Sequence, residues 1–334
     1  MDEYRTADDA QEGPSGLMRP RIVLDLASIL ESSDPVMLRL LEQAKRAAFS
    51  DATLLLTGES GTGKDILAYQ IHRWSSRAER PFIAVGCVSS SEHLLESKLF
   101  GHTRDSFDGA TEDKPGRLEA AHGGTIFLDE ISDLTAPLQT KLLNFVNEQS
   151  FERMGSEETI TVDARIVAGS NHDLASDVAS RRFREDLYYR LGVITLRVPA
   201  LRERTGDILP LARRILAEAT VRTHRPGARL SSEASAALMR YRWPGNIREL
   251  HNVIERAVVL CSSDLVTLEH LPVMFCSAHS QPLATATLSA SLDEIEREQI
   301  IRVIEECLTL KGAADKLGIS LATLWRRRKR YGLG

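Results

Sequence analysis

Gly58, Glu59, Ser60, Gly61, Thr62, Gly63, Lys64 and Asp65 follow directly on the apolar run Leu54-Leu55-Leu56. A strand that breaks into a glycine-rich loop and then a helix is suited to hold phosphate. The glycines let backbone N–H groups turn onto phosphate oxygens, the helix N-terminus adds partial positive charge, and Lys64 reaches the terminal phosphates. Further along, Gly124-Thr125-Ile126-Phe127-Leu128 is a second apolar strand pattern that ends in Asp129-Glu130. Asp129 can hold Mg²⁺ through water, and Glu130 can orient an attacking water. A buried strand that merely happens to end in two acids is the bland alternative for the second motif alone. Together the two motifs predict a chain that binds ATP and Mg²⁺.

Those residues need a scaffold that brings strand ends together. From Ser33-Asp34-Pro35 a helical pattern (Val36, Leu40, Leu41, Ala44, Ala47, Ala48) leads into the strand before the loop. Short apolar strands at Phe82 to Val85, Thr125 to Leu128, Arg165 to Ala168 and Val193 to Val198 then alternate with helical stretches. That alternation predicts an α/β fold with a parallel sheet. From Asp207 to Leu271 the pattern reads as helical throughout, with a helix starting after Trp243-Pro244-Gly245-Asn246. The expected organisation is a disordered tail over 1–20, an α/β nucleotide-binding subdomain over 21–206 and a helical lid over 207–275. A small, polar linker over 276–290 and a last helical module over 291–334 follow.

Composition narrows the class. No apolar run approaches the ~20 residues of a membrane span, so no membrane partner is expected. The acidic start, MDEYRTADDAQEGPSG, is neither a signal peptide nor a transit peptide. Cys87, Cys261, Cys276 and Cys307 lie far apart without a C-x-x-C pair. They suit neither zinc nor a disulfide framework, and a reducing cytoplasm is the simple location. The chain carries a net charge of −5, yet from Thr309 onward Lys311, Lys316, Arg326, Arg327, Arg328, Lys329 and Arg330 stand against the single acid Asp315. An acidic body with a basic end points to nucleic-acid contact confined to the C-terminus.

That end has the matching architecture. Leu292 to Cys307 supplies a packing face through Ile295, Ile300, Ile301, Val303 and Ile304. Two short helices joined at Leu317-Gly318-Ile319 then make a helix-turn-helix, with Ala313 at the close approach and Ser320 as cap. Ser320, Thr323, Trp325, Arg326 and Arg327 sit early or midway on the second helix, and Arg328, Lys329 and Arg330 end it. A helix in the major groove needs side chains for base edges and cations for phosphates.

With these features assembled, the chain resembles the NtrC-type bacterial enhancer-binding proteins, the AAA+ activators of sigma-54 RNA polymerase. The resemblance runs from about Asp34 to the C-terminus. Its strings are GESGTGKD, LFGH (Leu99 to His102), GRLEAAHGGTIFLDEI (Gly116 to Ile131), FREDLYYRL (Phe183 to Leu191), LRER (Leu201 to Arg204), WPGNIREL (Trp243 to Leu250) and a Fis-like ending. The ending looks closest to the AlgB-like branch. The resemblance implies that Asn171 is the polar sensor of the γ-phosphate and that Arg184 and Arg190 are arginine fingers acting in a neighbouring subunit. It implies that Arg248 is the lid arginine that senses nucleotide, and that subunits assemble from dimers to a hexamer ring. Expected partners are promoter-upstream DNA and RNA polymerase with sigma-54. No receiver domain is read ahead of the ATPase, so a separate regulatory protein, the N-terminal tail or expression level is expected to supply the input.

Three departures stand out. The loop that touches sigma-54 in the family reads GAFTGA, and here it reads Asp105-Ser106-Phe107-Asp108-Gly109-Ala110. Phe107, Gly109 and Ala110 are kept, but two negative charges are added at the contact tip. An acid just upstream has become Lys98, a charge that can compensate. The asparagine that switches the catalytic glutamate in the family is Gly86, before Cys87. Two functions therefore compete. In the first, ATP hydrolysis is coupled to remodelling of sigma-54 RNA polymerase at promoters. In the second, the chain is an ATP-binding and DNA-binding regulator that represses, or works with another sigma factor, without opening sigma-54 promoters.

Overall fold

The computed structural model describes residues 32–88, 91–107, 109–222, 228–261, 263–276, 309–316, 319 and 321–330. The expected tail over 1–20, most of the linker over 276–290, the packing face over 291–308, the turn residues Leu317 and Gly318, and Ser320 and Asp108 all lie outside the described residues. The chain divides after Cys276 into two compact units.

In the larger unit, helix α1 (Pro35–Ala48) begins where the Asp34 carboxylate accepts the Val36 N–H at 2.9 Å and Pro35 occupies the first turn. Met37, Leu40, Ala44, Ala47 and Ala48 are buried, whereas Val36, expected on the packing face, is 44% exposed. At 100° per residue Met37 lies nearer the centre of the apolar stripe than Val36 does. The end of α1 is fastened by Arg165, whose guanidinium donates to the Ala47 and Ala48 carbonyls, both at 2.8 Å.

Strand β1 (Leu54–Thr57) runs through the glycine loop into α2 (Lys64–Trp74). Strand β2 (Phe82–Gly86) and helix α3 (Glu92–Phe100) follow, then a short antiparallel pair, β3 (Gly101–His102) with β4 (Lys114–Pro115). Helix α4 (Arg117–Ala120), strand β5 (Thr125–Asp129) and helix α5 (Ala136–Glu148) lead to a second antiparallel pair, β6 (Ser150–Glu152) with β7 (Thr159–Thr161). Strand β8 (Arg165–Ser170), helices α6 (Leu174–Ala179) and α7 (Glu185–Leu191), and strand β9 (Ile194–Arg197) complete the subdomain.

The five long strands form one sheet in the order β2-β5-β8-β1-β9, with every pairing parallel. Both faces are covered, which is why the strands read as apolar runs rather than alternations. Leu55 points into the core shared with α3, α5 and α7, and Leu54 and Leu56 point into the core shared with α1 and α2. This arrangement leaves the ends of β1, β5 and β8 at one carboxyl edge of the sheet. The crossover to β9 passes beyond β1, so strand order reverses between β8 and β1, where crevices form in such folds.

The lid is built from α8 (Ile208–Arg222), α9 (Ser232–Arg240) and α10 (Asn246–Leu260), closed by α11 (Val273–Cys276). It is not helical throughout, as the pattern over Asp207 to Leu271 suggests. Strand β10 (Arg229–Leu230) pairs in parallel with β11 (Leu265–Val266) and ties the loops between helices together. Pairs this short carry no periodicity of their own. Leu201 already packs into the lid core, around fully buried Trp243. No helix among the described residues is long and apolar enough to cross a membrane.

The smaller unit shows α12 (Leu310–Lys316) packed on α13 (Leu321–Arg330), with Ala313, Ala314 and Leu324 buried. The Ile319 N–H donates to the Ala314 carbonyl at 3.1 Å, as the expected turn requires.

Candidate active site

The glycine loop is held by its own backbone geometry. Gly61 has φ +75°, and a Cβ there would stand 2.5 Å from the Gly245 carbonyl, so no other residue fits. Gly63, at φ +94°, turns the chain into α2. Lys64 opens that helix and is only 5% exposed. Its Nζ donates to the carbonyls of Gly58 at 2.8 Å and Glu59 at 3.2 Å. Burial pushes the Lys64 ammonium below its ordinary range, while Asp129, Glu130 and Asp65 oppose that shift. Asp65 sits exposed in the first turn of α2, where negative charge complements the helix dipole.

The two acids arrive on β5. Asp129 is its last residue, level with Gly86 of β2. Burial raises its carboxyl above the ordinary range, and Lys64 acts against that rise. Glu130 leaves the strand in the left-handed region, at φ 57° and ψ 46°, a conformation costing a non-glycine residue about 1–2 kcal/mol. Its N–H donates to Asp129 Oδ1 at 3.1 Å. One contact was not legible beforehand: a Cβ on Gly169 of β8 would fall 2.7 Å from Asp129 Oδ1. The missing side chain at 169 leaves the space that the carboxylate uses. At Gly86 an added Cβ would meet nothing within 4 Å, so the family's asparagine is absent without a neighbour having filled its place. Cys87 beside it is a buried thiol that burial pushes up to about 12, which keeps it protonated.

Asn171, just past β8, reaches the same crevice. Its Nδ2 donates to Glu130 Oε1 at 3.4 Å, and its Oδ1 is buried without a partner. A cleft of about 370 Å³ opens alongside, lined by Gly58, Glu59, Asn171, His172, Tyr188 and Arg197 among others. A cradle of backbone N–H groups, one buried ammonium and two carboxylates form a donor set that fits a polyphosphate with a hard divalent cation.

The lid meets the loop through polar contacts. Arg248 donates from Nη1 to Ser60 Oγ at 2.8 Å. Asn246, completely buried at φ 53°, donates to the Ser60 carbonyl at 3.0 Å and to Glu59 Oε2 at 3.1 Å, and accepts the Leu201 N–H at 2.8 Å. The Ile247 N–H donates to the Gly61 carbonyl at 2.9 Å. Arg202 grips the Glu59 carboxylate with both Nη groups, one at 2.7 Å. That grip, helped by Asn246, holds the Glu59 carboxyl down at about 2. Buried Arg204 donates to the Thr62 carbonyl at 2.8 Å. Of these, sequence reasoning singled out Arg248. Asn246, Arg202 and Arg204 lie inside the strings WPGNIREL and LRER, where polar residues beside helix starts were the available signal.

The two arginines of α7 lie elsewhere. Arg184 is the N-cap residue, and its guanidinium binds Asp186 through Nε at 3.0 Å and Nη2 at 2.7 Å. Arg190, in the last turn, is exposed. Among the described residues no hydrogen bond or ion pair joins either side chain to the loop at 58–65.

The loop between β3 and β4 starts against the turn between β6 and β7, where the Thr103 N–H donates to the Met154 carbonyl at 2.9 Å. Its base is the His102 ring, bonded to Ser97 Oγ at 2.7 Å and meeting the Phe107 ring edge-on at 5.0 Å. Asp105 donates its N–H to the Ala110 carbonyl at 2.8 Å and has φ 62°. The family's glycine is thus replaced where the backbone is left-handed. Arg104, rather than Lys98, pairs with Asp105, at 3.9 Å between two exposed side chains, a separation that contributes little. Gly109 is exposed. On α13, Arg326 is exposed while Thr323, Arg327 and Arg328 are half-buried. Lys329 and Arg330 lie in its last turn.

Comparison with known proteins finds three family matches along the chain. Residues 30–197 match the sigma-54 interaction domain, 202–287 the AAA+ ATPase lid domain and 291–331 the bacterial regulatory proteins of the Fis family. The alginate biosynthesis transcriptional regulatory protein AlgB of Pseudomonas syringae pv. tomato is 49% identical over 304 residues, covering 91% of this chain and 67% of that protein. The Nif-specific regulatory protein of Azotobacter vinelandii is 42% identical over 286 residues, covering 85% of this chain and 55% of the relative. Among solved structures, NtrX from Brucella abortus in complex with ATP superposes with a TM-score of 0.68 at 32% identity, covering 90% of this chain and 69% of that one.

Proposed function

The chain belongs to the AAA+ transcriptional regulators of sigma-54 RNA polymerase, which bind nucleotide and carry a Fis-type helix-turn-helix, and from that premise we propose how its residues divide the work. ATP lies on the loop at 58–65, with Lys64 on its phosphates and Arg248 reporting its presence to the lid. Glu130 takes a proton from the attacking water as that water adds to the γ-phosphorus and ADP departs. Asn171 holds the Glu130 carboxylate through Nδ2. Asp129 would hold magnesium through water, an ion that neutralises phosphate charge when bound. Arg184 and Arg190 serve the site of the next subunit in a ring, so the active form is an oligomer, up to a hexamer. Hydrolysis moves the loop around Phe107 against sigma-54, while α13 holds the assembly on promoter-upstream DNA. The cytoplasm, where promoter and polymerase are found, is the proposed location. A separate regulatory protein supplies the input.

One observation supports this division above the others. Lys64, Asp129, Glu130 and Asn171 gather at the carboxyl edge of β1, β5 and β8, whereas Arg184 and Arg190 sit on α7 without contact to the loop. The arginines that reach the loop within the same chain, Arg202, Arg204 and Arg248, are engaged with Glu59, the Thr62 carbonyl and Ser60, which leaves Arg184 and Arg190 to serve another copy. Such arginines contribute about 10³–10⁵ in rate in other nucleotide hydrolases. The test is a mixture of two inactive proteins, Lys64→Ala and the double variant Arg184→Ala with Arg190→Ala. Turnover is expected to reappear in the mixture, since each chain supplies what its neighbour lacks. A mixture as inactive as its components would remove the shared site.

A further inference from the structure

The entry to α1, the glycine loop and the start of the lid meet around one buried cation. Arg204 is 1% exposed. Its Nη2 donates to the Thr62 carbonyl at 2.8 Å, its Nη1 lies 3.5 Å from Met37 Sδ, and its Nε has no partner. Burial pushes the guanidinium below its ordinary range, while Asp207 and Asp34 oppose that shift. Asp207 closes the 3₁₀ turn Thr205–Asp207 that follows Arg204, and its N–H donates to the Arg204 carbonyl at 3.0 Å. Side chains three apart in such a turn lie on one side, so the carboxylate stands within reach of the guanidinium. Asp207 is itself buried, and Ser32, just ahead of α1, bonds its carboxylate. The Ser32 hydroxyl lies 2.8 Å from Oδ1 and 2.7 Å from Oδ2, and it accepts the Asp34 N–H at 3.0 Å. Among the described residues no other hydrogen-bond donor reaches that carboxylate.

A buried carboxylate and a buried guanidinium one turn apart pair directly unless each is otherwise engaged, because bonds between opposite charges are stronger than bonds to neutral groups. Here the cation is engaged by a carbonyl of the loop and the anion by a hydroxyl. We propose that Ser32 is a positioning residue for nucleotide binding: by holding the Asp207 carboxylate it keeps Arg204 on the Thr62 carbonyl, which fixes the loop in the shape that receives phosphate. The proposal rests on ATP lying on the loop at 58–65 and adds what braces that loop from behind. With the hydroxyl removed, Arg204 turns to Asp207 and the Thr62 carbonyl loses its charged donor. A hydrogen bond to a charged group is worth about tenfold or more in an equilibrium constant. Arg204 is not among the groups assigned to the reaction, so the effect falls on binding rather than on the chemical step.

The experiment measures, on the full chain, the Kd of a fluorescent ATP analogue together with KM and kcat, and thermal denaturation checks folding. Ser32→Ala should raise Kd and KM about tenfold with little change in kcat. Ser32→Thr keeps the hydroxyl and should bind like the native chain. Asp207→Asn removes the charge that competes for Arg204, so Ser32→Ala combined with Asp207→Asn should recover most of the lost affinity. A merely structural contact would instead give losses that add or a double variant no better than the single one. Native affinity in Ser32→Ala would overturn the proposal. A double variant that binds no more tightly than Ser32→Ala would overturn it too, as would a fall in kcat at unchanged Kd. No binding of the analogue by the native chain would instead overturn the reading of the loop at 58–65 as an ATP site.

Discussion

Replacing Gly169 by alanine is expected to cripple ATP turnover and leave the fold standing. The new Cβ would lie 2.7 Å from Asp129 Oδ1 and 3.0 Å from the Phe127 ring, against ordinary contacts that begin at 3.4 Å. Something must therefore give by more than half an ångström. Phe127 is 1% exposed and set in the sheet, so its ring has no room. The Asp129 carboxylate is the softer element, since the Glu130 N–H holds Oδ1 at 3.1 Å and its other neighbours are side-chain ends. Overpacking of this kind costs about 1–3 kcal/mol of stability. Misplacing a reacting group by about 1 Å costs on the order of 10²-fold in rate, so a shift of roughly half that size should lower kcat about tenfold or more. Nucleotide affinity should change little, because Lys64 and the glycine loop stand on the next strand. Steady-state turnover across a magnesium titration, fluorescent nucleotide binding and thermal denaturation separate these effects. A Gly169→Ala protein with the parent kcat and magnesium dependence would refute the view that the empty position at 169 sets Asp129.

Two further predictions concern the lid and pH. Asn246→Ala leaves the buried Leu201 N–H without its acceptor, a loss of about 1–3 kcal/mol; the melting temperature should fall and KM for ATP should rise several-fold with a smaller change in kcat, and an unchanged KM would separate the lid from the loop. His72 is buried beside Thr125, with its ring 2.9 Å from the hydroxyl, and burial holds it at about 4 rather than 6.5. Unfolded chains take up that proton as pH falls through 6.5 and folded chains only near 4, so stability is whole above 6.5 and falls by up to about 3 kcal/mol across that window. Urea midpoints between pH 7 and 4, compared for the native chain and His72→Gln, check this, and parallel profiles would count against it.

How much of this was legible beforehand depends on how local each feature is. The loop at 58–65 and the acids at 129 and 130 are chemistry written in consecutive residues, and the apolar runs beside them are long enough to read as strands. The parallel sheet followed from the alternation of those runs with helices. The contact between Gly169 and Asp129 was not legible, because it joins neighbouring strands far apart in sequence and consists of a side chain that is absent. Asn246, Arg202 and Arg204 were visible as residues but not as partners of Glu59, Ser60 and Thr62, since nothing in a string states what it docks on. The ladder of Arg229–Leu230 with Leu265–Val266 is too short for a period-two pattern, so a helical reading took its place. Val36 shows the remaining difficulty: one residue of helical phase decides whether it or Met37 is buried.

The altered loop bears most directly on the central claim, that ATP hydrolysis by this chain remodels sigma-54 RNA polymerase. Asp105 stands in a left-handed conformation and Ser106 Oγ is buried without a partner, so two of the three departures from the family's loop carry a local cost. The decisive measurement is open-complex formation by purified sigma-54 holoenzyme on promoter DNA with this chain's operator upstream. It compares the native chain, Glu130→Gln, and a restored loop carrying Asp105→Gly, Ser106→Ala and Asp108→Thr. The account predicts opening by the native chain that needs hydrolysable ATP, is lost in Glu130→Gln and is greater with the restored loop at nearly unchanged ATP turnover. No opening by either the native or the restored chain, while both still hydrolyse ATP and bind the operator, would contradict it.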